Sequence, residues 1–221
     1  LQFNAAHDTI TGFNYQAGSS PGEITIPKEH TDGTLITAIG DNAFSGCGLT
    51  KVEFESGSQL TTIGKYAFSG NLFTEINLPL TVTTLGVGSF YECGNLKKVD
   101  LSNYNITEIP ADAFRSCGSL TELVLPNNLV SIGSRAFYIQ DGKLAGEIKI
   151  PASVTSIGTA AFYGAKVDTF DLKDHAPGTI SGQPWNAYNS YVKWKSNNDS
   201  SCFIFNSDTG VICGMKGYNQ D

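Results

Sequence analysis

The sequence predicts a right-handed, β-rich solenoid built from coils of about 23 residues. One parallel sheet of about seven strands should face short turns or 3-10 segments on the opposite wall. Three observations predict it. An Ala-Phe pair recurs at Ala43-Phe44, Ala67-Phe68, Ala113-Phe114, Ala136-Phe137 and Ala161-Phe162, with Ser89-Phe90 in phase, at Phe-to-Phe steps of 24, 22, 24, 23 and 25. Four residues before each Ala or Ser stands an aliphatic residue (Ile39, Ile63, Leu85, Ile109, Ile132, Ile157), followed by Gly in five coils and by Pro110 in the other. Upstream of each lies a short segment alternating apolar and polar residues.

Each element follows from its residue types. The alternating segments are Ile24-Thr25-Ile26, Val52-Glu53-Phe54, Ile76-Asn77-Leu78, Val99-Asp100-Leu101, Leu123-Val124-Leu125, Ile148-Lys149-Ile150 and Phe170-Asp171-Leu172. A period of two reads as a half-buried strand. Spaced one coil apart, the strands stack about 4.8 Å from one another, into an array roughly 30 Å long. Pro27, Pro79, Pro126 and Pro151 close several of them, as expected of a residue with no N–H to give a ladder. The second aliphatic pair, as in Leu60-Thr61-Thr62-Ile63, reads as a short strand on another wall. Gly-x-x-Ala-Phe is too short for more than a turn or one 3-10 turn. Its Phe should point inward as the main core stack, and its Ala should let neighbouring coils approach.

Composition limits the function classes. Apolar residues make up 40% of the 221-residue chain, which suits a folded domain and not a disordered segment. A formal charge of −7 with no Lys or Arg run opposes binding to nucleic acid or anionic membranes. Apolar runs are too short to span a bilayer. The opening Leu1-Gln2-Phe3-Asn4 has no signal-peptide character, and the chain is expected to be a trimmed or mature fragment whose targeting sequence has been removed.

The pattern Leu-x-x-Ile-x-Ile-Pro-x-x-Val-x-x-Ile-Gly-x-x-Ala-Phe-x-x-Cys resembles the BspA-like leucine-rich repeats of bacterial surface proteins. The segment from Ile148 to Phe162 matches it almost throughout, and roughly residues 22–172 are covered. The resemblance implies a leucine-rich-repeat solenoid at the cell surface or outside the cell. It also implies adhesion to proteins of a host or of neighbouring cells. The Asn of ordinary leucine-rich repeats, which bonds backbone in the turn, is missing from this pattern.

The domain reading places an N-terminal cap hairpin at 1–21, the repeats at 22–172 and an aromatic cap at 173–200, where Trp185, Tyr188, Tyr191 and Trp194 concentrate. Phe3, Asn4, Ile10 and Gly12 recur without a gap as Phe205, Asn206, Ile212 and Gly214. Residues 201–221 are therefore either a closing cap hairpin or the start of a second module.

No catalytic pattern is present: there is no Gly-x-Ser-x-Gly, no P-loop and no dinucleotide fingerprint. Nothing points to a cofactor, and the protein reads as non-catalytic. Cys47, Cys93 and Cys117 each sit three residues after the repeat Phe, which marks them as buried, reduced, structural thiols. Cys202 and Cys213 can pair in an oxidising compartment. His7, His30 and His175 show no ligand spacing with one another, and no metal site is expected.

Two surfaces are candidate binding sites for an unidentified protein ligand. The outward faces of the strands carry Glu23, Lys51, Glu75, Lys98, Glu122 and Glu147 in one row, and Glu53, Asp100 and Lys149 in the other. The first row alternates in sign over five coils, a pattern that also suits a solvated, self-neutralising face. The residue after the repeat Phe gives Tyr91, Arg115, Tyr138 and Tyr163. If the Phe points in, these point out, as an exposed ridge of residue types enriched at interfaces. A passive spacer in a long tandem surface protein is the alternative reading. A carbohydrate-binding module, resting on the aromatics at 185–194, is another.

Overall fold

The computed structural model describes residues 1–14, 22–140 and 142–171, and beyond these only the backbone of Ser181–Gly182, Lys193–Lys195, Phe203–Asn206 and Val211–Gly214. The chain is a β-solenoid of about six turns, and no helix occurs among the described residues.

Alternation along the strands turns one side of each inward. Ile26, Val52, Val99, Ile148 and Phe170 are buried, while Glu23, Lys51, Glu53, Lys98 and Glu122 face solvent. Glu23–Ile26 pairs in parallel with Lys51–Phe54, and Lys98–Asp100 with Glu122–Val124. Ala145–Lys149 pairs with Lys166–Asp171, which pairs in turn with Lys193–Lys195. Among the described residues this wall carries three short parallel ladders in place of the single expected sheet. The expected strand Ile76-Asn77-Leu78 does not form. Asn77 is a weak strand former at its centre. The Leu78 carbonyl is also taken by the Tyr104 hydroxyl, which donates to it at 2.7 Å, and Pro79 follows with no N–H.

The second aliphatic pairs form the longer ladder. Thr9–Gly12, Ala38–Ile39, Thr62–Ile63 and Thr84–Leu85 stack in parallel, as do Glu108–Ile109, Ser131–Ile132, Ser156–Ile157 and Ser181–Gly182. In four coils the Gly after the pair donates its N–H to the coil below: Gly40 to Ile10, Gly64 to Ile39, Gly133 to Ile109 and Gly158 to Ile132, each at 2.7 Å. The ladder divides between Leu85 and Ile109. At that step the donor position is Pro110, which has no N–H to give Leu85. At the ends of this wall, Gln2–Phe3 lies antiparallel to Thr9–Gly12, and Val211–Gly214 lies antiparallel to both Phe203–Asn206 and Ser181.

The third wall is made of turns, not of 3-10 helix. The residue two before each repeat Phe has left-handed φ: Asn42, Tyr66, Gly88, Asp112, Arg135 and Ala160, between 51° and 62°. A left-handed residue at this place stops a helical turn from propagating. It also turns alternate N–H groups along the stack, so Phe44 donates to the Ala67 carbonyl, Phe114 to Ala136 and Phe137 to Ala161, at 2.7–2.8 Å.

The Phe rings stack in the interior. Centroids of Phe44, Phe68, Phe90, Phe114, Phe137 and Phe162 follow one another at 5.3, 5.7, 5.3, 5.4 and 5.3 Å, with planes within 10°. These distances exceed the spacing of about 4.8 Å between coils, so the rings are offset, as aromatic quadrupoles prefer. Phe13 lies tilted over one end of the stack, 6.0 Å from Phe44, and Phe170 meets Phe162 edge-on at 4.9 Å at the other. The close backbone approach expected at Ala occurs three residues earlier, at the Gly. A Cβ on Gly64 would lie 2.6 Å from the Gly40 carbonyl carbon and 2.7 Å from the Asp41 nitrogen.

Candidate functional site

On the turn wall the side chain after each Phe is directed outward by the alternation that turns the Phe inward. Tyr91, Arg115, Tyr138 and Tyr163 are half-buried and form one continuous column. The Arg115 guanidinium carbon stands 5.6 Å from the Tyr91 ring centre and 5.3 Å from that of Tyr138. Tyr138 and Tyr163 stack at 4.7 Å with planes 11° apart. The four predicted ridge residues are thus brought together, although they are less exposed than expected. Sequence reasoning missed Tyr66, which extends the column by meeting Tyr91 edge-on at 5.9 Å. The signal for it was the glycine at 88, where any Cβ would collide with the Tyr66 ring.

Asp112 fixes the charged part of the ridge. It is buried, accepts from Arg115 Nη1 at 3.2 Å, and takes a forked contact from Arg135, Nε at 3.0 Å and Nη2 at 3.1 Å. Planar bidentate geometry makes this pair stronger than an ordinary surface ion pair. The guanidinium between the tyrosines is therefore held by a carboxylate as well as by two ring faces.

The outward faces of the strands are less uniform. Lys98 reaches Glu122 across the ladder at 3.7 Å, and Asp100 on its own strand at 3.6 Å. Lys51 pairs at 2.6 Å with Glu53, two residues along its own strand, although Glu23 is its register neighbour. The Glu53 carboxylate pushes the Lys51 ammonium above its ordinary range, with a smaller contribution from Glu23. Glu75 stands on the segment that forms no ladder, while Glu147 and Lys149 face solvent on Ala145–Lys149. Exposed pairs of this kind contribute only about 0.2–1 kcal/mol each.

A concave surface lies beside the unpaired segment 76–78. A cleft of about 710 Å³ opens between the segment from Lys51 to Ser58 and the segment from Glu75 to Leu80, with Thr25 at its edge. Glu53, Glu55 and Glu75 line it beside Lys51, and Leu80 on its rim is 66% exposed. Nothing in the alternation pattern marks this cleft.

The thiol position has a bonding role. Cys93 and Cys117 direct S–H groups at the carbonyls of Phe68 and Phe90, at 3.2 and 3.3 Å. In another coil Asn71, fully buried, donates to the Phe44 and Phe68 carbonyls and accepts from the Leu49 N–H. Backbone bonding by Asn, which the consensus pattern lacks, thus occurs here in one coil, with thiols as weaker substitutes in two others. Cys47, Cys93 and Cys117 are free and buried. Burial pushes the Cys93 thiol up to about 12 and raises Cys117 well above its ordinary value. Only the thiolate reacts, so Cys93 and Cys117 are expected to stay unlabelled by a disulfide reagent at mildly alkaline pH until the chain unfolds. Residue-resolved mass spectrometry before and after denaturant checks this. Labelling of either in the native protein at the rate of an exposed thiol would contradict it.

The expectation that the histidines stand apart needs correction. His7 and His30 are stacked with ring centres 4.1 Å apart, and both face Asp32, at 2.6 and 3.1 Å. Two hairpins of different coils create this contact, and a repeat pattern does not encode it. The His7 ring, followed by the Thr34 N–H, holds the Asp32 carboxyl well below the usual carboxylate range.

His175, Cys202, Trp185, Tyr188 and Tyr191 lie outside the described residues, and Trp194 and Cys213 are described only in backbone. Apart from the backbone pairings of Lys193–Lys195, Phe203–Asn206 and Val211–Gly214, the caps at 173–200 and 201–221, the Cys202–Cys213 pairing and the carbohydrate reading rest on sequence alone. No helix among the described residues is long and apolar enough to cross a membrane.

Residues 37–168 match six copies of the family model described as BspA type Leucine rich repeat region. Among solved structures, the leucine-rich repeat protein of T. pallidum, TpLRR, is 26% identical with a TM-score of 0.61, over 77% of this chain and 82% of that one. The pneumococcal vaccine antigen PcpA is 20% identical with a TM-score of 0.53, over 85% of this chain and 55% of that one. A leucine rich cell surface protein of Faecalibacterium prausnitzii is 20% identical with a TM-score of 0.51, over 94% and 57%. The chain thus spans just over half the length of these last two, and they bear on the fold alone. A search of curated protein sequences returned no match.

Proposed function

Because this chain belongs to the BspA-type leucine-rich repeat family, we propose that it is a non-catalytic, protein-binding module of a bacterial cell-surface protein. Family membership supports the location and the class of function, and fold by itself does not specify a ligand. The Tyr91–Arg115–Tyr138–Tyr163 column is the observation that supports a binding role. Tyr and Arg dominate interface energetics, and rings already held by their neighbours lose little entropy on binding. A passive spacer has no need of such a column. The partner is a protein of a host or neighbouring cell, and the outer sheet face is the competing surface.

The test compares three immobilised proteins against solubilised surface proteins of candidate cells. They are the wild type, a Tyr91→Ala/Tyr138→Ala/Tyr163→Ala variant, and a Glu122→Lys/Glu147→Lys variant with the face charge reversed. A partner retained by the wild type and the charge variant, but bound at least about tenfold more weakly by the tyrosine variant, is the expected result. Equal binding to the tyrosine variant would transfer the site to the sheet face. Failure of the wild type to retain any partner would favour the spacer.

A further inference from the structure

We propose that His7, His30 and Asp32 form a surface site for one Zn²⁺ ion, which staples the opening hairpin to the first coil. The three side chains come from two rigid turns. His7 sits at the tip of the hairpin between Gln2–Phe3 and Thr9–Gly12, in a turn closed by the His7 N–H on the Asn4 carbonyl and the Asn4 N–H on the Thr9 carbonyl. His30 and Asp32 sit in a second hairpin turn. There the His30 N–H meets the Thr34 carbonyl at 2.8 Å, the Gly33 N–H meets the His30 carbonyl at 2.9 Å, and Glu29 bridges antiparallel to Leu35.

Ligand chemistry and spacing agree with the ion. Two imidazoles and a carboxylate are a donor set that suits zinc and its borderline neighbours rather than calcium or magnesium. Potential ligand atoms of all three residues lie within 4.8 Å of one another. Around a tetrahedral zinc with bonds of about 2.0–2.1 Å, ligand atoms stand ~3.3 Å apart. Here His7 Nδ1 is 2.6 Å from Asp32 Oδ2, and His30 Nδ1 is 3.1 Å from Asp32 Oδ1. Small side-chain rotations therefore suffice. His30 Nδ1 also receives the Asp32 backbone N–H at 3.4 Å. That nitrogen has a single lone pair, so coordination of the ion replaces this long contact.

The supporting groups orient the ligands, as outer partners do in metal sites. The Thr34 N–H holds Asp32 Oδ1 at 2.9 Å, and the Phe3 ring packs edge-on against His30 at 4.8 Å. The His7 and Asp32 side chains are 42% and 44% exposed, so the fourth position of a tetrahedral ion faces solvent. His7 itself has φ of 60°, a left-handed conformation in which His and Asn are both enriched among non-glycine residues, so His7→Asn keeps the turn.

The experiment is calorimetric titration of Zn²⁺ into the full chain near neutral pH, with the variants His7→Asn, His30→Asn, Asp32→Asn and, as a control, His175→Asn. One ion per chain is expected, with affinity lowered by more than about tenfold in each of the first three variants and unchanged in the control. Saturating Zn²⁺ should raise the wild-type melting temperature by a few degrees, since the ion binds the folded chain. A readout on the wild type alone guards against variants that distort the hairpins. In a proton NMR titration, the ring signals of His7 and His30 should move with Zn²⁺ while those of His175 stay. No binding, equal affinity in His7→Asn, or movement confined to His175 would overturn the proposal.

Discussion

Phe114→Ala should destabilise the chain by about 3–5 kcal/mol. Phe114 is buried to 1% exposure and lies between Phe90 at 5.3 Å and Phe137 at 5.4 Å, with planes within 5° of both. Truncation removes its own burial and uncovers a face of each neighbour. The cavity is closed above and below by rings whose backbone is hydrogen-bonded to the next coil, so little collapse can fill it. A solenoid is stabilised by contacts between adjacent coils, and a gap at mid-stack also weakens their coupling. Urea unfolding followed by circular dichroism should show a lower midpoint, and a broader or divided transition is a second mark of lost coupling. A loss under about 1 kcal/mol would mean that the ring stack is not the principal core.

Gly64→Ala should cost about 3 kcal/mol, at the upper end of ordinary overpacking. The obstacle is neither a helix nor a left-handed φ. An added Cβ would stand 2.6 Å from the Gly40 carbonyl carbon and 2.7 Å from the Asp41 nitrogen. These are backbone atoms of the coil below and cannot swing aside. Relief would require the coils to separate, which would stretch the bond from the Gly64 N–H to the Ile39 carbonyl, now 2.7 Å. Gly94→Ala is the matched control. A Cβ there meets nothing within 4 Å and its φ is not left-handed, so its effect should stay within about 0.5 kcal/mol. Thermal melts of the two single variants distinguish close coil approach from a general loss of glycine. Equal melting temperatures would refute the assigned role of Gly64.

How much of this was legible in the sequence depends on whether a residue belongs to the repeat. The Phe stack, the inward aliphatics and the buried thiols recur in phase, and in a solenoid the same position one coil on is the spatial neighbour. A periodic pattern is then already a contact map, which is why Tyr91, Arg115, Tyr138 and Tyr163 could be placed together. Pro110 was visible as the exception to the glycine position. Its effect was not visible, because one must first know that this position donates its N–H to the coil below. The unformed strand at 76–78 was hidden for a related reason. Ile76 and Leu78 keep the alternation, but Tyr104 on the following coil takes the Leu78 carbonyl, and the cleft lies beside this segment.

By itself the sequence determined the solenoid, its coil length, the inward and outward sides of every coil and the family. Each of these follows from a hydrophobic period repeated until no other register buries the same residues. Tertiary structure alone decided which wall carries the longer ladder, where the glycines press against backbone, and that His7, His30 and Asp32 meet. The first two depend on ångström-scale distances between in-phase positions, and the third on two hairpins outside the repeat. Such distances are set by hydrogen bonding and by the path of irregular hairpins, and side-chain polarity along the chain does not record either.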